Sequence, residues 1–212
     1  ITPRYIGMIG QYQRILLQRN TLLKDISYAS ALLDTLDIWD EKLSALGGVI
    51  IRMRMEYTRR LQKEAEDIYK GISMERESFS LDYRPFELPV QEGQTQREIS
   101  SLLLEKMMQN RSEDLRSGST GIGPHRDDLE ISINGRSVRS FGSQGQQRSS
   151  VLALKLAESR CIGDILGERP VILLDDVMSE LDQNRREYLL NHLTGSQIFI
   201  TCCDKGYFSR LE

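Results

Sequence analysis

At 212 residues, with 39% hydrophobic and 28% charged side chains, the chain has the make-up of a folded protein with one sizeable core or two small ones. Its net charge of −3, from 28 Lys and Arg against 31 Asp and Glu, excludes a globally basic nucleic-acid binder, so any phosphate contact must come from a local patch. Three cysteines, Cys161 and the adjacent Cys202 and Cys203, have neither metal-ligand spacing nor an even disulfide framework, which fits a reducing, cytoplasmic compartment. No apolar run reaches the roughly 18 residues a membrane helix requires. Ile1-Thr2-Pro3-Arg4-Tyr5 is no signal peptide, and without an initiator Met the chain is expected to be a fragment or a processed form.

Residues 5–26 carry apolar side chains at a 3.6-residue spacing (Tyr5, Met8, Tyr12, Ile15, Leu22, Leu23), which predicts an amphipathic helix. A second helical pattern runs from Ala29 to Leu46, and Gly47-Gly48 is expected to turn or kink it. The third and longest places Ile50, Met53, Tyr57, Leu61, Ala65 and Ile68 on one face, with Arg52, Arg54, Arg59, Arg60 and Lys63 mostly off it. Two readings stand for these cations: a solvated face with i,i+4 pairs such as Arg60–Glu64 and Lys63–Asp67, or a phosphate-facing patch.

Residues 71–93 lose the helical period and collect Pro85, Pro89 and Gly93, as a connection with an extended piece around Phe79–Tyr83 would. Helical spacing returns from Thr95 (Ile99, Leu102, Leu103, Met107) and fades into Ser112–Ser119. Leu129, Ile131 and Ile133 then alternate with polar residues ahead of Asn134-Gly135, a strong hairpin signal because both turn residues take positive φ; Val138 and Phe141 continue the run.

Gly118-Ser-Thr-Gly-Ile-Gly-Pro-His125 imitates a phosphate-binding loop in its glycines only. Pro124 and His125 stand where Lys and Ser/Thr are required, and the stretch leads into a strand, so the chain holds no complete phosphate cradle. His125 and Arg126 have no partner at metal spacing; a structural role, or a phosphate contact by Arg126, fits them better. Arg136, Arg139 and Arg148 lie in a run without acids, a second candidate basic patch.

Ser143-Gln-Gly-Gln146 opens a helix and is a capping box in its own right; it also offers a hydroxyl, an unhindered Gly amide and a positive helix end to an anion. Val171-Ile-Leu-Leu-Asp-Asp176 is an apolar run closed by two acids. It suits a parallel strand buried on both faces, whose carboxyl end either simply turns or supplies carboxylates for Mg²⁺ and for orienting a water. Ser179-Glu-Leu-Asp182 follows, and then a further β-rich run, Gln197-Ile-Phe-Ile-Thr201.

In that order these pieces resemble the ABC-type ATPase head, with its signature motif, Walker B strand, D-loop and final strand. Gly123-Pro-His-Arg-Asp-Asp128, Ser143-Gln-Gly-Gln-Gln-Arg148, Leu152-Ala-Leu-Lys-Leu-Ala-Glu158 and Leu173-Leu-Asp-Asp-Val177 with Ser179-Glu-Leu-Asp182 are similar to the RecF family of bacterial recombination mediators, and Gln18-Arg-Asn-Thr-Leu-Leu-Lys24 extends the likeness toward the start. The resemblance implies an α/β, mainly helical fold: a helical lobe over 1–118, a hairpin and signature helix over 119–160, and the C-terminal part of an ATPase lobe over 161–212. A Walker A segment would lie outside this chain.

For the residues, the resemblance implies that Ser143, Gly145 and Gln146 contact the γ-phosphate of ATP held by a second subunit. Asp175 would bind Mg²⁺ through water, and Asp176 would take the catalytic acid position. Ser179 and Asp182 would be D-loop residues, with Thr201 at the switch position. Gln144 in place of Gly, Asp176 in place of Glu, and Thr201-Cys-Cys203 in place of a switch His all point to slow hydrolysis. The implied protein is an ATP-dependent homodimer on gapped or junction DNA, single- and double-stranded, with partners of the RecR and RecO kind. It would be a weak ATPase as an intact dimer and inactive as this piece. Arg52, Arg59, Arg60, Lys63, Arg136 and Arg139 are its DNA-binding candidates. Two rivals stand beside it: another SMC-type ATPase head, or a non-catalytic helical interaction module.

Overall fold

A computed structural model describes residues 3–26, 30–192 and 196–204. In chain order it forms α1 (Pro3–Ile26), a 3-10 turn (Ser30–Thr35), α2 (Leu36–Ile72), β1 (Phe79–Arg84), α3 (Gln96–Gln109), α4 (Arg111–Ser117), β2 (Asp128–Ile133), β3 (Arg136–Ser137), α5 (Val138–Phe141), α6 (Gln144–Leu166), β4 (Ile172–Asp175), a second 3-10 turn (Val177–Glu180), α7 (Gln183–His192) and β5 (Ile198–Thr201). The mainly helical α/β class expected from the sequence is the one observed.

The chain segregates into two compact units, residues 1–57 with 83–129, and residues 58–82 with 130–212. These differ from the linear division at 118 and 160. A linear reading assumes that each domain is one contiguous stretch, whereas here the division falls inside α2, β1 and β2, elements that carry the chain from one unit to the other.

In the first unit Tyr12 and Ile15 of α1, Leu43, Ile50 and Ile51 of α2, and Ile99, Leu103 and Met107 of α3 make the core. The turn among the alternatives expected at Gly47-Gly48 does not occur: α2 continues through both. Their lack of side chain serves packing instead, since a Cβ on Gly47 would stand 2.5 Å from Leu103 Cδ2, and one on Gly48 2.9 Å from the Ser100 backbone nitrogen. The glycines let α3 cross α2 at close range, a gain that outweighs the roughly 1 kcal/mol each costs the helix. Thr95 and Glu98 form a reciprocal capping box that starts α3. The segment expected to fade after Ser112 is in fact α4, with Glu113 and Asp114 in its first turn and Gly118 closing it in the left-handed region at φ 64°.

In the second unit the C-terminal half of α2 (Leu61, Ala65, Ile68, Tyr69, Ile72) packs with Phe79 and Leu81, α6 (Leu152, Ala153, Leu156, Ala157) and Leu174, Met178 and Leu189. The Asn134-Gly135 turn has positive φ at both residues, 51° and 74°, and pairs Ile133 with Arg136 in an antiparallel β2–β3 hairpin. The run does not continue as strand through Val138 and Phe141, which instead form the one-turn α5. One i,i+4 pair of the expected kind, Arg52–Glu56, forms on α2, whereas Arg60 bonds Asp164, and Arg160 of α6 reaches Glu64 and Asp67. Helix spacing foretells which residues can pair on one helix but not what a neighbouring helix offers.

β4 and β5 pair in parallel, Leu173 beside Phe199 and Asp175 beside Thr201. Parallel pairing was expected; burial on both faces was not realised. Leu174 is buried, but Leu173 is 74% exposed and its neighbour Phe199 55% exposed, so one face of the pair is apolar and uncovered. An apolar groove of about 570 Å³ between α6 and β4, lined by Val151, Leu152, Val171, Leu173 and Val177, adjoins it.

Candidate nucleotide-dependent site

The ends of two elements come together in the second unit. The first is the N-terminus of α6. Ser143 is its N-cap in extended conformation; its Oγ accepts from the Gln146 N–H at 3.2 Å, and its own N–H donates to Gln146 Oε1 at 2.9 Å. The capping box read from the sequence is therefore made. It leaves the N–H groups of Gln144 and Gly145 without a bond inside the helix, as at any helix start, and the serine hydroxyl hydrogen free to donate. The Gln146 side chain, expected to reach a phosphate, is committed at both ends, since its Nε2 donates to Glu77 Oε1 at 2.7 Å.

The second is the end of β4. Asp175 and Asp176 are both exposed. Asp176 has φ 49°, an uncommon conformation for a residue with a Cβ, and one that clusters at functional turns. The turn is held from two sides. Thr201 Oγ1 accepts the Asp176 N–H at 3.0 Å and donates to Asp175 Oδ1, while Ser179 Oγ donates to the Asp176 carbonyl at 2.9 Å. The turn then delivers Asp182, whose Oδ1 accepts the Arg185 N–H at 3.0 Å in the first turn of α7.

Arg185 joins the two ends. Its guanidinium pairs with Asp182 at 3.3 Å and lies so close to Gly145 that a Cβ there would be 2.8 Å from Nη1. Ser143, Gly145 and Asp182 are thus parts of one surface, with a guanidinium set beside the positive end of a helix. Sequence reasoning missed Arg185, whose i,i+3 spacing from Asp182 was legible, and Glu77, which has no local signal 69 residues from Gln146.

Asp175 is an exposed carboxylate at a strand end, a donor that fits a hard cation keeping most of its waters. Among the described residues no cluster of three or more His, Cys, Asp or Glu could hold an ion by protein ligands alone. The three cysteines are free. No helix among the described residues is long and apolar enough to cross a membrane.

The glycine loop at 118–125 is occupied by the first unit's own structure. Thr120 N–H donates to Asn20 Oδ1 at 2.8 Å, Gly121 N–H to Asp114 Oδ1 at 2.9 Å, and His125 bonds Tyr12 OH and the Thr120 carbonyl. Packing of the His125 ring holds its pKa below the usual imidazole range. Burial raises the pKa of Asp127, which accepts from the Tyr83 hydroxyl, the Phe86 N–H and Arg54. Of the basic candidates, Arg52 pairs with Glu56 at 2.9 Å and Arg60 with Asp164 at 2.8 Å. Arg59, Lys63, Arg136 and Arg139 are exposed.

The fold is a mainly helical α/β segment that superposes on solved RecF structures. No family model matches the chain. The DNA replication and repair protein RecF of Ruminiclostridium cellulolyticum is 42% identical over 212 residues, covering 100% of this chain and 56% of that protein. The RecF of Acetivibrio thermocellus is 42% identical over 208 residues, 98% of this chain and 56% of its own length. A solved structure of the recombination mediator protein RecF with ATP, in the RecFOR pathway, superposes with a TM-score of 0.86 at 36% identity, over 97% of this chain and 54% of that one. The corresponding RecF–ATPrS structure gives 0.85. The chain is a RecF homologue, and it spans about half the length of the curated relatives it matches.

Proposed function

We propose that this chain is the signature-bearing part of an ATP-dependent DNA clamp of the RecF kind, acting in recombinational repair and replication restart. The observation that carries the reading is the Arg185–Gly145 approach, which joins the Ser143 helix end to the Asp175–Asp182 turn in one surface. By its likeness to the signature motif of ABC-type heads, the Ser143 helix end would read a nucleotide held by a second copy, so the reading requires a homodimer with ATP between the subunits. Ser143 and the Gly145 amide would take the γ-phosphate; Gln146 would act by holding Ser143.

Asp175 would hold Mg²⁺ through water, and the ion's contribution is neutralisation of phosphate charge. Asp176 would orient the attacking water, with a side chain one methylene shorter than Glu, hence slow turnover suited to a timer. Ser179 and Asp182 would cross the dimer interface, and Thr201 would set the acids. The uncovered face of β4 and β5 is where the remainder of the ATPase lobe, with its Walker A segment, would pack. DNA would meet Arg52, Arg59, Arg60, Lys63, Arg136 or Arg139. RecR- and RecO-type mediators are the proposed partners and the cytoplasmic nucleoid the proposed location.

The test is Ser143→Arg in the full-length polypeptide. ATP binding by the monomer is expected to persist while ATP-dependent dimerisation, followed by sedimentation, is lost. Dimerisation at parental affinity would overturn the reading, and joint loss of binding and dimerisation would assign Ser143 to folding instead.

A further inference from the structure

The first turn of α6 is held from outside the helix. A capping box needs only its Ser and its Gln, yet here the Gln146 amide is gripped by a third residue, Glu77, in the loop between α2 and β1. One Glu77 oxygen accepts from Gln146 Nε2 at 2.7 Å and the other accepts from Tyr69 OH, also at 2.7 Å. Tyr69 is wholly buried on α2 and stacks on Phe79 with ring centroids 5.0 Å apart. Burial and the neighbouring Glu77 carboxylate both raise the Tyr69 pKa, so the phenol stays a donor.

This chain of bonds fixes which way the Gln146 amide faces. A carboxylate accepts and does not donate, so the amide nitrogen must point to Glu77 and the oxygen must point to the Ser143 N–H. With the oxygen so directed, the Ser143 backbone stays in its cap conformation, its Oγ accepts from the Gln146 N–H, and the hydroxyl hydrogen is left to donate outward. Were the amide reversed, an NH₂ group would face the Ser143 N–H and the cap would open.

We propose that Glu77 is a positioning residue for the phosphate-reading turn: it orients Gln146, and through Gln146 the Ser143 hydroxyl, from an anchor on α2. The proposal rests on the reading of Ser143 as a γ-phosphate contact. It makes the geometry of that contact depend on the α2–β1 segment, so a displacement of that segment would weaken nucleotide-dependent pairing without touching the nucleotide.

Glu77→Ala and Glu77→Gln in the full-length polypeptide test this by three measurements. These are ATPγS-dependent dimerisation by sedimentation, ATP affinity of the monomer by calorimetry, and hydrogen exchange of the amides of residues 143–147. Glu77→Ala is expected to weaken dimerisation about tenfold, the loss of one charge-assisted hydrogen bond. It should also speed exchange at 143–147 while leaving monomer ATP affinity unchanged. Glu77→Gln keeps one acceptor of the two and should fall between; it also carries the test should the alanine variant fold poorly. Parental dimer affinity in both variants overturns the proposal, as does a loss of dimerisation with parental exchange at 143–147. If the parent itself does not dimerise with ATPγS, the underlying reading fails, and the exchange data alone still decide whether Glu77 holds the turn.

Discussion

Thr201 Oγ1 accepts the Asp176 N–H at 3.0 Å and donates to Asp175, so a single hydroxyl at the end of β5 fixes both acids at the end of β4. Register makes this possible, because Asp175 and Thr201 are paired neighbours in the parallel ladder. Thr201→Val keeps the shape and the strand preference but removes both bonds. Hydrogen exchange at the Asp176 amide should rise several-fold, since a bond of this kind contributes about 1 kcal/mol. In the full-length polypeptide ATP turnover should fall while ATP-dependent dimerisation persists, and Thr201→Ser should restore turnover. Unchanged exchange at Asp176 would sink this account.

Arg19 is the electrostatic anchor of the first unit. Fully buried, it bonds Asp40 at 2.6 Å, Asp114 at 2.7 Å and the Thr120 hydroxyl at 2.8 Å, and Arg111 supplies a second cation to Asp40. Arg19→Met would leave one buried carboxylate without a cation and the other with only Arg111. Loss of about 3–5 kcal/mol is expected, read by urea unfolding. A loss below about 1 kcal/mol would mean that the network contributes little.

The glycines separate packing from function. Gly48→Ala drives a Cβ to 2.9 Å from the Ser100 backbone nitrogen and 3.0 Å from its Cα, atoms that cannot step aside, so a destabilisation of about 1–3 kcal/mol is expected despite the better helix propensity. Gly145→Ala meets only the tip of Arg185. Its unfolding midpoint should be close to parental, yet displacement of the guanidinium should weaken ATP-dependent dimerisation. Equal thermal penalties in the two variants would refute the distinction.

Tyr12 and Tyr83 have pKa values raised by burial and by the nearby Asp127 charge, and Tyr69 likewise by burial and Glu77. Each folded phenol keeps its proton where the unfolded chain gives it up. The folded state therefore binds more protons above about pH 10, the unfolded value, and stability falls as pH rises through that point. The slope should approach about 1.4 kcal/mol per pH unit for each fully buried tyrosine. Tyr12→Phe should make the alkaline loss shallower in thermal melts between pH 8 and pH 11; an unaltered slope would show that Tyr12 is not among the groups responsible.

Much of the chain could be read locally. Capping at Thr95 and Ser143, the Asn134-Gly135 hairpin, the parallel strand ending at Asp175 and the false phosphate loop at 118–125 all follow from residues a few positions apart, and local rules govern them. The sequence by itself therefore determined most of the elements, their class and the order of the nucleotide-related pieces, but not α4, α5 or the continuity of α2. Tertiary structure decided what those pieces touch. Gly47-Gly48 became a helix crossing instead of a turn because Leu103 and Ser100 press on them, and Arg60 left Glu64 for Asp164. Glu77 reached Gln146, and Arg185 came to rest on Gly145. Contacts between residues distant in the chain depend on how whole faces pack, and no local periodicity encodes that choice.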